Sequence, residues 1–347
     1  MKKILIIKMT AIGDVFMALA HIEAIVSHHV DDEIWLLTDP MVEKIFRYHP
    51  RVKVALLRKG TPGRESSLAR VFWVRSQRFD VIYDLQGNRT SRRLARFSSA
   101  PVRVGTQPRA VYNRHPENFY ARGTQQNVFD RLDETLAAGG LPPAQPRIQI
   151  HAPPADIYGM DQWKKKYDLW NGLYVLLHAG SSRDWFIKRW PAAHFLALAR
   201  MIEKQGIRCV WIGGRDDRAV NEQLSGHVGM DTTNQLNMLQ LYLLGKGAGF
   251  AVANDSAPMH IMAASGIPVY GLFGPTSWIR SHAVGQKERV FYMDMPCSPC
   301  FKKKCRAAKK HACLDEIGPE AVFRKIMAGV SQVNKTPDYG LQLPVDG

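Results

Sequence analysis

Long apolar runs are missing from this 347-residue chain: no stretch approaches the roughly 20 consecutive apolar residues that a membrane-spanning helix needs. Met1-Lys2-Lys3 opens with positive charge. The apolar run Ile4–Ile7 that follows stops at Lys8, short of the about 7–15 residues of a signal peptide's core. A cytoplasmic protein is therefore expected. Short repeats and low-complexity tracts are absent as well, and apolar residues at 46% exclude a disordered or fibrous chain. Neither GxGxxG nor a Walker A sequence occurs, which argues against a dinucleotide dehydrogenase and a P-loop NTPase.

Acidic residues are scarce where basic ones are dense. Residues 51–125 hold 16 Lys or Arg against Glu65, Asp80, Asp84 and Glu117, a local excess of +12 within a net charge of +16. So concentrated an excess suits a polyanion: nucleic acid, an anionic membrane surface or a phosphorylated substrate. An arginine-rich solvated surface is the plainer alternative. Cysteine is scarce too. Cys209 sits alone in the apolar run Ile207–Trp211 and reads as a small core residue. The other four form Cys297-x2-Cys300-x4-Cys305-x7-Cys313, with His311 near the last. In a cytosolic protein this spacing points to reduced thiols or a structural metal site before a disulfide.

What is present alternates. Residues 3–7 read as a strand, and Val15, Leu19, Ile22 and Val26 follow at helical spacing. Ile34–Leu37, Val52–Leu56 and Phe79–Asp84 read as further strands, with a helix near Met41–Tyr48. Five prolines between Pro142 and Pro154 mark linker chemistry. Alternation then resumes with strand Tyr174–His178, helix Ala192–Gln205 and strand Arg208–Ile212. Strand Gly249–Ala253, a helix from Pro258 and strand Pro268–Phe273 complete it. Two α/β halves with parallel sheets are expected. Their bounds are 1–150, a linker at 151–172, and 173–347, whose last helix could pack back on the first half.

Three loops carry the chemistry. At Asn254-Asp255-Ser256-Ala257-Pro258 an apolar strand ends and a helix begins, offering free N–H groups and a positive dipole end to an anion. Simple helix capping by Asp255 or Ser256 is the competing explanation. Gly180-Ser181-Ser182-Arg183, with Lys188-Arg189-Trp190-Pro191, supplies two hydroxyls and clustered positive charge, which a diphosphate needs. Gly213-Gly214 allows close backbone approach at a third strand end.

Together, Met9-Thr10-Ala11-Ile12-Gly13-Asp14, the loop Gly180–Pro191, and Asn254–His260 with Gly271–Thr276 resemble glycosyltransferase family 9, the bacterial lipopolysaccharide heptosyltransferases. The resemblance runs from the first strand to beyond Cys313. It implies a GT-B fold, two Rossmann-like domains with parallel sheets facing across a cleft. The first domain would bind the acceptor and the second the nucleotide-sugar. ADP-heptose would be the donor, with no cofactor or catalytic metal and with inversion at the anomeric carbon.

Matched by position, Asp14 would be the general base and Lys188 would stabilise the leaving diphosphate. Thr10, Gly13, Ser181, Ser182, Arg183, Gly213, Gly214, Leu236, Asp255, Ser256, Ala257 and His260 would hold the nucleotide-sugar. Trp185-Phe186-Ile187 lengthens the span from Arg183 to Lys188 relative to some members. Cys-Ser-Pro-Cys segments occur in some of them too. Arg58, Lys59, Arg64, Arg89, Arg92 and Arg93 are then candidates for an anionic lipopolysaccharide core acceptor or for the inner-membrane surface. The protein would lie peripherally on that membrane's cytoplasmic face. Two alternatives stand beside this: another donor sugar or a protein acceptor such as an autotransporter, and a basic nucleic-acid-binding protein with a Cys-cluster metal module. Nucleic acid is not the expected partner, because the aromatics of 71–83 and 97–120 lack the basic–aromatic interleaving of a stacking platform.

Overall fold

A computed structural model describes residues 1–56, 67–118, 126–306 and 311–333. The chain divides into two compact units, Met1–Pro153 and Pro154–Gly347.

Unit 1 is a parallel sheet in the order β3-β2-β1-β4-β5. Its strands are β1 Lys3–Ile7, β2 Glu33–Thr38, β3 Val52–Leu56, β4 Val81–Asp84 and β5 Val102–Gly105. Its helices are α1 Ile12–Met17, α2 Leu19–His28, α3 Glu43–Phe46, α4 Ser67–Ser76, α5 Arg89–Phe97 and α6 Val128–Ala138. β1 lies at the centre, Ile7 level with Leu37 on one side and Asp84 on the other. A parallel strand covered on both faces reads as unbroken apolar sequence, and Ile4 to Ile7 are fully buried. The helical spacing from Val15 to Val26 resolves into two helices. The chain opens at Ala18, whose N–H reaches Val15 O, three residues back, instead of four.

Unit 2 is a six-stranded parallel sheet in the order β11-β10-β9-β6-β7-β8. These strands are β6 Tyr174–His178, β7 Arg208–Trp211, β8 Met230–Asp231, β9 Ala251–Asn254, β10 Val269–Leu272 and β11 Val290–Phe291. The helices are α7 Pro154–Lys166, α8 Ala192–Glu203, α9 Arg218–Ser225, α10 Met238–Gly245, α11 Ala257–Ala264, α12 Trp278–Ser281, α13 Ala312–Asp315 and α14 Pro319–Val333. Within the stretch read from its prolines as linker, Pro154 starts α7, since a proline is tolerated in a first helical turn. That helix packs against α10. α14 packs on α8 and puts Val322, Ile326 and Val330 into the core with Trp190, Phe195 and Trp211. Cys209 is fully buried in the same core, which pushes its thiol well up. No helix among the described residues is long and apolar enough to cross a membrane. The architecture is α/β, two Rossmann-like domains each built on a parallel sheet.

Candidate functional site

The strand ends of unit 2 are stitched together by one buried amide. Asn254 closes β9, and its Nδ2 donates to the carbonyls of Ala179 and Gly180 at 3.0 Å each. Its Oδ1 accepts from the Trp190 N–H at 2.9 Å. The loop after β6 and the entry to α8 are therefore pinned to β9, which fixes the segment between them. That segment is a 3-10 turn, Arg183–Lys188, kinked at Trp185. The lengthened span noted in the sequence forms this turn, and the turn returns Lys188 to the β9 end. There Lys188 Nζ lies 2.7 Å from Asp255 Oδ2, and Thr276 Oγ1 donates to the same oxygen at 2.6 Å.

Asp255 is thus occupied by Lys188 and Thr276 and does not cap α11. Ser256 holds the N-cap position, yet its hydroxyl makes no cap bond. It bonds Asn254 O and His178 Nδ1, both at 3.1 Å. Neither side chain proposed as a capping residue satisfies the first-turn N–H groups of α11. The positive end of that helix is left without the side-chain oxygen that capping would supply.

Behind this turn sits a charged support. Asp217, buried, meets His178 Nε2 at 3.5 Å and Arg189 Nη2 at 3.4 Å, and accepts from the Gly214 N–H at 2.9 Å. Burial alone would raise the Asp217 carboxyl; His178, the Gly214 N–H and Arg189 together hold it below its ordinary value. Arg189 Nε also donates to Ser181 Oγ at 3.1 Å, and Ser181 Oγ donates to Trp185 O at 3.0 Å. Of the predicted hydroxyl pair, Ser181 is therefore buried and engaged in shaping the loop, while Ser182 and Arg183 are exposed. Gly180 is required for contact: a Cβ there would overlap the Asp217 carboxylate. Gly213 closely approaches the same side chain, whereas Gly214 borders open space. Ala257 opens α11 half-exposed, His260 is buried within it, and Leu236 lies half-buried beside Asn237, the N-cap of α10.

In unit 1, Asp14 occupies the first turn of α1, half-buried, with Gly13 before it. The preceding loop is held by Gln86, whose Oε1 accepts from the N–H groups of Met9 and Thr10 at 2.9 and 3.0 Å. Gln86 is itself held from behind. The fully buried Asp84 accepts from the N–H groups of Gln86 and Gly87 through Oδ1, and from Tyr112 Oη through Oδ2 at 2.6 Å. Burial pushes the Asp84 carboxyl up, and these donors partly offset it. Lys8, also buried, donates to Leu85 O at 3.3 Å. Burial lowers its ammonium, and the charges of Asp14 and Asp84 pull it back. Sequence reasoning missed Lys8, Asp84 and Gln86; the signal was a buried strand ending in a polar loop, with a lysine at the matching end of β1.

The basic residues divide. Arg58, Lys59 and Arg64 lie outside the described residues. Arg89, Arg92 and Arg93 lie on α5 and, with Arg96, Phe97 and Arg109, line an open groove of about 640 Å³. No disulfide joins Cys297, Cys300, Cys305 and Cys313, which line a cavity of about 190 Å³ with His311. Burial, reinforced by the other three thiols, pushes Cys313 up to about 11. Among the described residues, the metal-ligand types that converge within 4.8 Å are Glu23, His49 and His151 instead. His49 Nδ1 accepts from the Arg51 N–H at 3.2 Å, so Nε2 carries the proton and donates to Glu23 at 2.9 Å. That arrangement ties α2 to the segment after α3.

Comparison with known proteins places the fold and the loops in context. The family model described as glycosyltransferase family 9 (heptosyltransferase) matches residues 70–311. Lipopolysaccharide heptosyltransferase 1 of Pseudomonas aeruginosa is 26% identical over 322 residues, covering 87% of each chain. Among solved structures, a family 9 glycosyl transferase from Veillonella parvula superimposes with a TM-score of 0.79 at 18% identity, covering 95% of this chain and 97% of that one. An E. coli heptosyltransferase solved with ADP gives 0.68 at 19%, covering 94% and 99%. These likenesses mark the fold as GT-B.

Proposed function

The chain belongs to glycosyltransferase family 9, and on that footing we propose that it transfers heptose from ADP-heptose to the inner core of lipopolysaccharide. One observation carries the donor half of this reading. Lys188 meets Asp255 beside the start of α11, whose first-turn N–H groups neither Asp255 nor Ser256 caps. A diphosphate arriving there finds helix N–H groups, an ammonium ion, and the exposed Ser182 and Arg183. Its charge develops as the sugar departs, and in this reading Lys188 meets that charge. Gly214 and Leu236 offer backbone access and an apolar contact for the nucleoside.

The acceptor half rests on Asp14. As general base it takes the proton from the attacking hydroxyl, whose oxygen displaces ADP from the anomeric carbon with inversion. Arg89, Arg92 and Arg93 contact the anionic acceptor, and so do Arg58, Lys59 and Arg64 in this reading. An acceptor anchored on lipid puts the protein in the cytoplasm, peripheral on the inner membrane. No resident cofactor is required: Lys188, Arg183 and the helix dipole meet the diphosphate charge. Turnover should survive a chelator, and a strict need for a divalent cation would overturn that part. The four cysteines serve as reduced structural thiols, which metal analysis of the purified protein checks.

The deciding experiment measures ADP release across a panel of nucleotide-sugars with a lipopolysaccharide-core acceptor. Turnover with ADP-heptose is expected. Turnover with another donor alone, or with a protein acceptor alone, would replace this reading.

A further inference from the structure

α4 and α5 pack side by side on one face of the first sheet, burying Val74, Leu94 and Ala95 beneath them. Together they carry six arginines, Arg70, Arg75, Arg89, Arg92, Arg93 and Arg96, and no acidic residue. Leu68 and Phe72, one helical turn apart, share the outward stripe of α4 and are 59% and 70% exposed. Phe97, at the end of α5, is 45% exposed beside the arginine-lined groove. On α5 the exposed stripe is Arg89, Arg93 and Arg96. Single exposed apolar residues are ordinary on protein surfaces. Here they stand among arginines on helices that carry no acidic residue and whose inner faces are already spent on the core.

We propose that this face docks the protein on an anionic lipid bilayer. Leu68 and Phe72 enter the headgroup layer, Arg75 on α4 and Arg96 on α5 meet the lipid phosphates, and Arg89, Arg92 and Arg93 stay with the anionic groups of the acceptor. Apolar side chains gain by leaving water at that depth, while arginine stems bury alongside and keep their guanidinium groups at the surface. Guanidinium forks match phosphate oxygens in pairs. The attraction decays within a Debye length, so salt weakens it. A nucleic acid would satisfy the cations but not a leucine and a phenylalanine projecting on one stripe; a bilayer satisfies both. The inference rests on the peripheral-membrane reading above and names the surface responsible.

Co-sedimentation of the full chain with vesicles tests it. Binding is expected to vesicles of phosphatidylcholine mixed with phosphatidylglycerol, not to phosphatidylcholine alone, and should fall with added salt. Phe72→Asp combined with Leu68→Asp, and separately Arg75→Glu, should each weaken that binding by roughly tenfold or less for the single charge and more for the pair. ADP release with a deacylated, water-soluble acceptor should stay unchanged in both, which also shows that they fold. Equal binding by wild type and variants, or no preference for the anionic vesicles, overturns the docking face. So does a dimer that dissociates in the Phe72 variant without any vesicle binding, since a second copy would then be the occupant. If wild type binds vesicles as expected but releases no ADP with the soluble acceptor, the transfer reading fails and the docking face stands.

Discussion

Lys188 and Asp255, 67 residues apart in the chain, meet at 2.7 Å. The lysine ends a 3-10 turn and the carboxylate directly follows β9, so the loops after two strands share one ion pair. Lys188 is half-buried and Asp255 nearly fully so, which shields the pair from solvent more than a surface bridge would be. A bound diphosphate would compete for the lysine.

Lys188→Ala is predicted to lower kcat by about 10²–10³-fold and to weaken ADP binding, because the leaving-group charge loses its cation. Initial rates and calorimetric titration with ADP check both. An effect confined to acceptor affinity would remove Lys188 from the donor site.

Asp14→Asn should cost about 10²–10⁴-fold in turnover while ADP affinity stays within a few fold, since the base acts on the acceptor hydroxyl. Rates measured beside ADP titrations separate the two. Unchanged turnover would take Asp14 out of the mechanism.

Gln86→Leu should leave the Met9 and Thr10 N–H groups without their acceptor, at a cost of about 1–3 kcal/mol of stability in unit 1. Because Asp14 follows that loop, kcat should fall roughly tenfold with ADP affinity unchanged. Gln86→Glu keeps the acceptor oxygen and should recover most of the rate. A leucine variant with wild-type kcat would show that the loop holds itself.

Gly180→Ala forces a methyl group onto the Asp217 carboxylate and should destabilise unit 2 by about 1–3 kcal/mol. Denaturant melts measure this directly. A melt indistinguishable from wild type would mean the loop shifts freely.

Asp217 also sets a pH dependence. Its folded carboxyl lies below the ordinary value, so the folded state binds fewer protons than the unfolded one. Its stabilisation is complete above the unfolded pKa of about 3.9 and is lost as pH falls through the lower folded value. Stability measured from about pH 6 downward should therefore fall more steeply in wild type than in Asp217→Asn. Parallel curves would assign the acid sensitivity elsewhere.

Much of the fold was legible in the sequence because parallel strands buried on both faces leave unbroken apolar runs. β1, β3 and β6 fall on the residues expected, Lys3–Ile7, Val52–Leu56 and Tyr174–His178. α5 was not legible: in Arg89–Phe97 the buried stripe is only Ser91, Leu94 and Ala95, too narrow to show as periodicity. α7 was hidden by the prolines that mark its start.

The candidate site divides along the same line. Lys188 and the Asn254–His260 turn stand out through residue type and position at strand ends, Asp14 only through its match to the family, and the tripartite order of loops carries that family. That is what the sequence determined. Tertiary structure decided who holds whom. Asn254 pins both ends of the connection between β6 and α8 to β9, Asp217 supports His178 and Arg189, and Gln86, just past β4, grips the loop before Asp14 from 77 residues on. A parallel sheet brings distant strand ends side by side, and hydrogen bonds reach across neighbours in space. Chain order carries no trace of those partners until the sheet has formed.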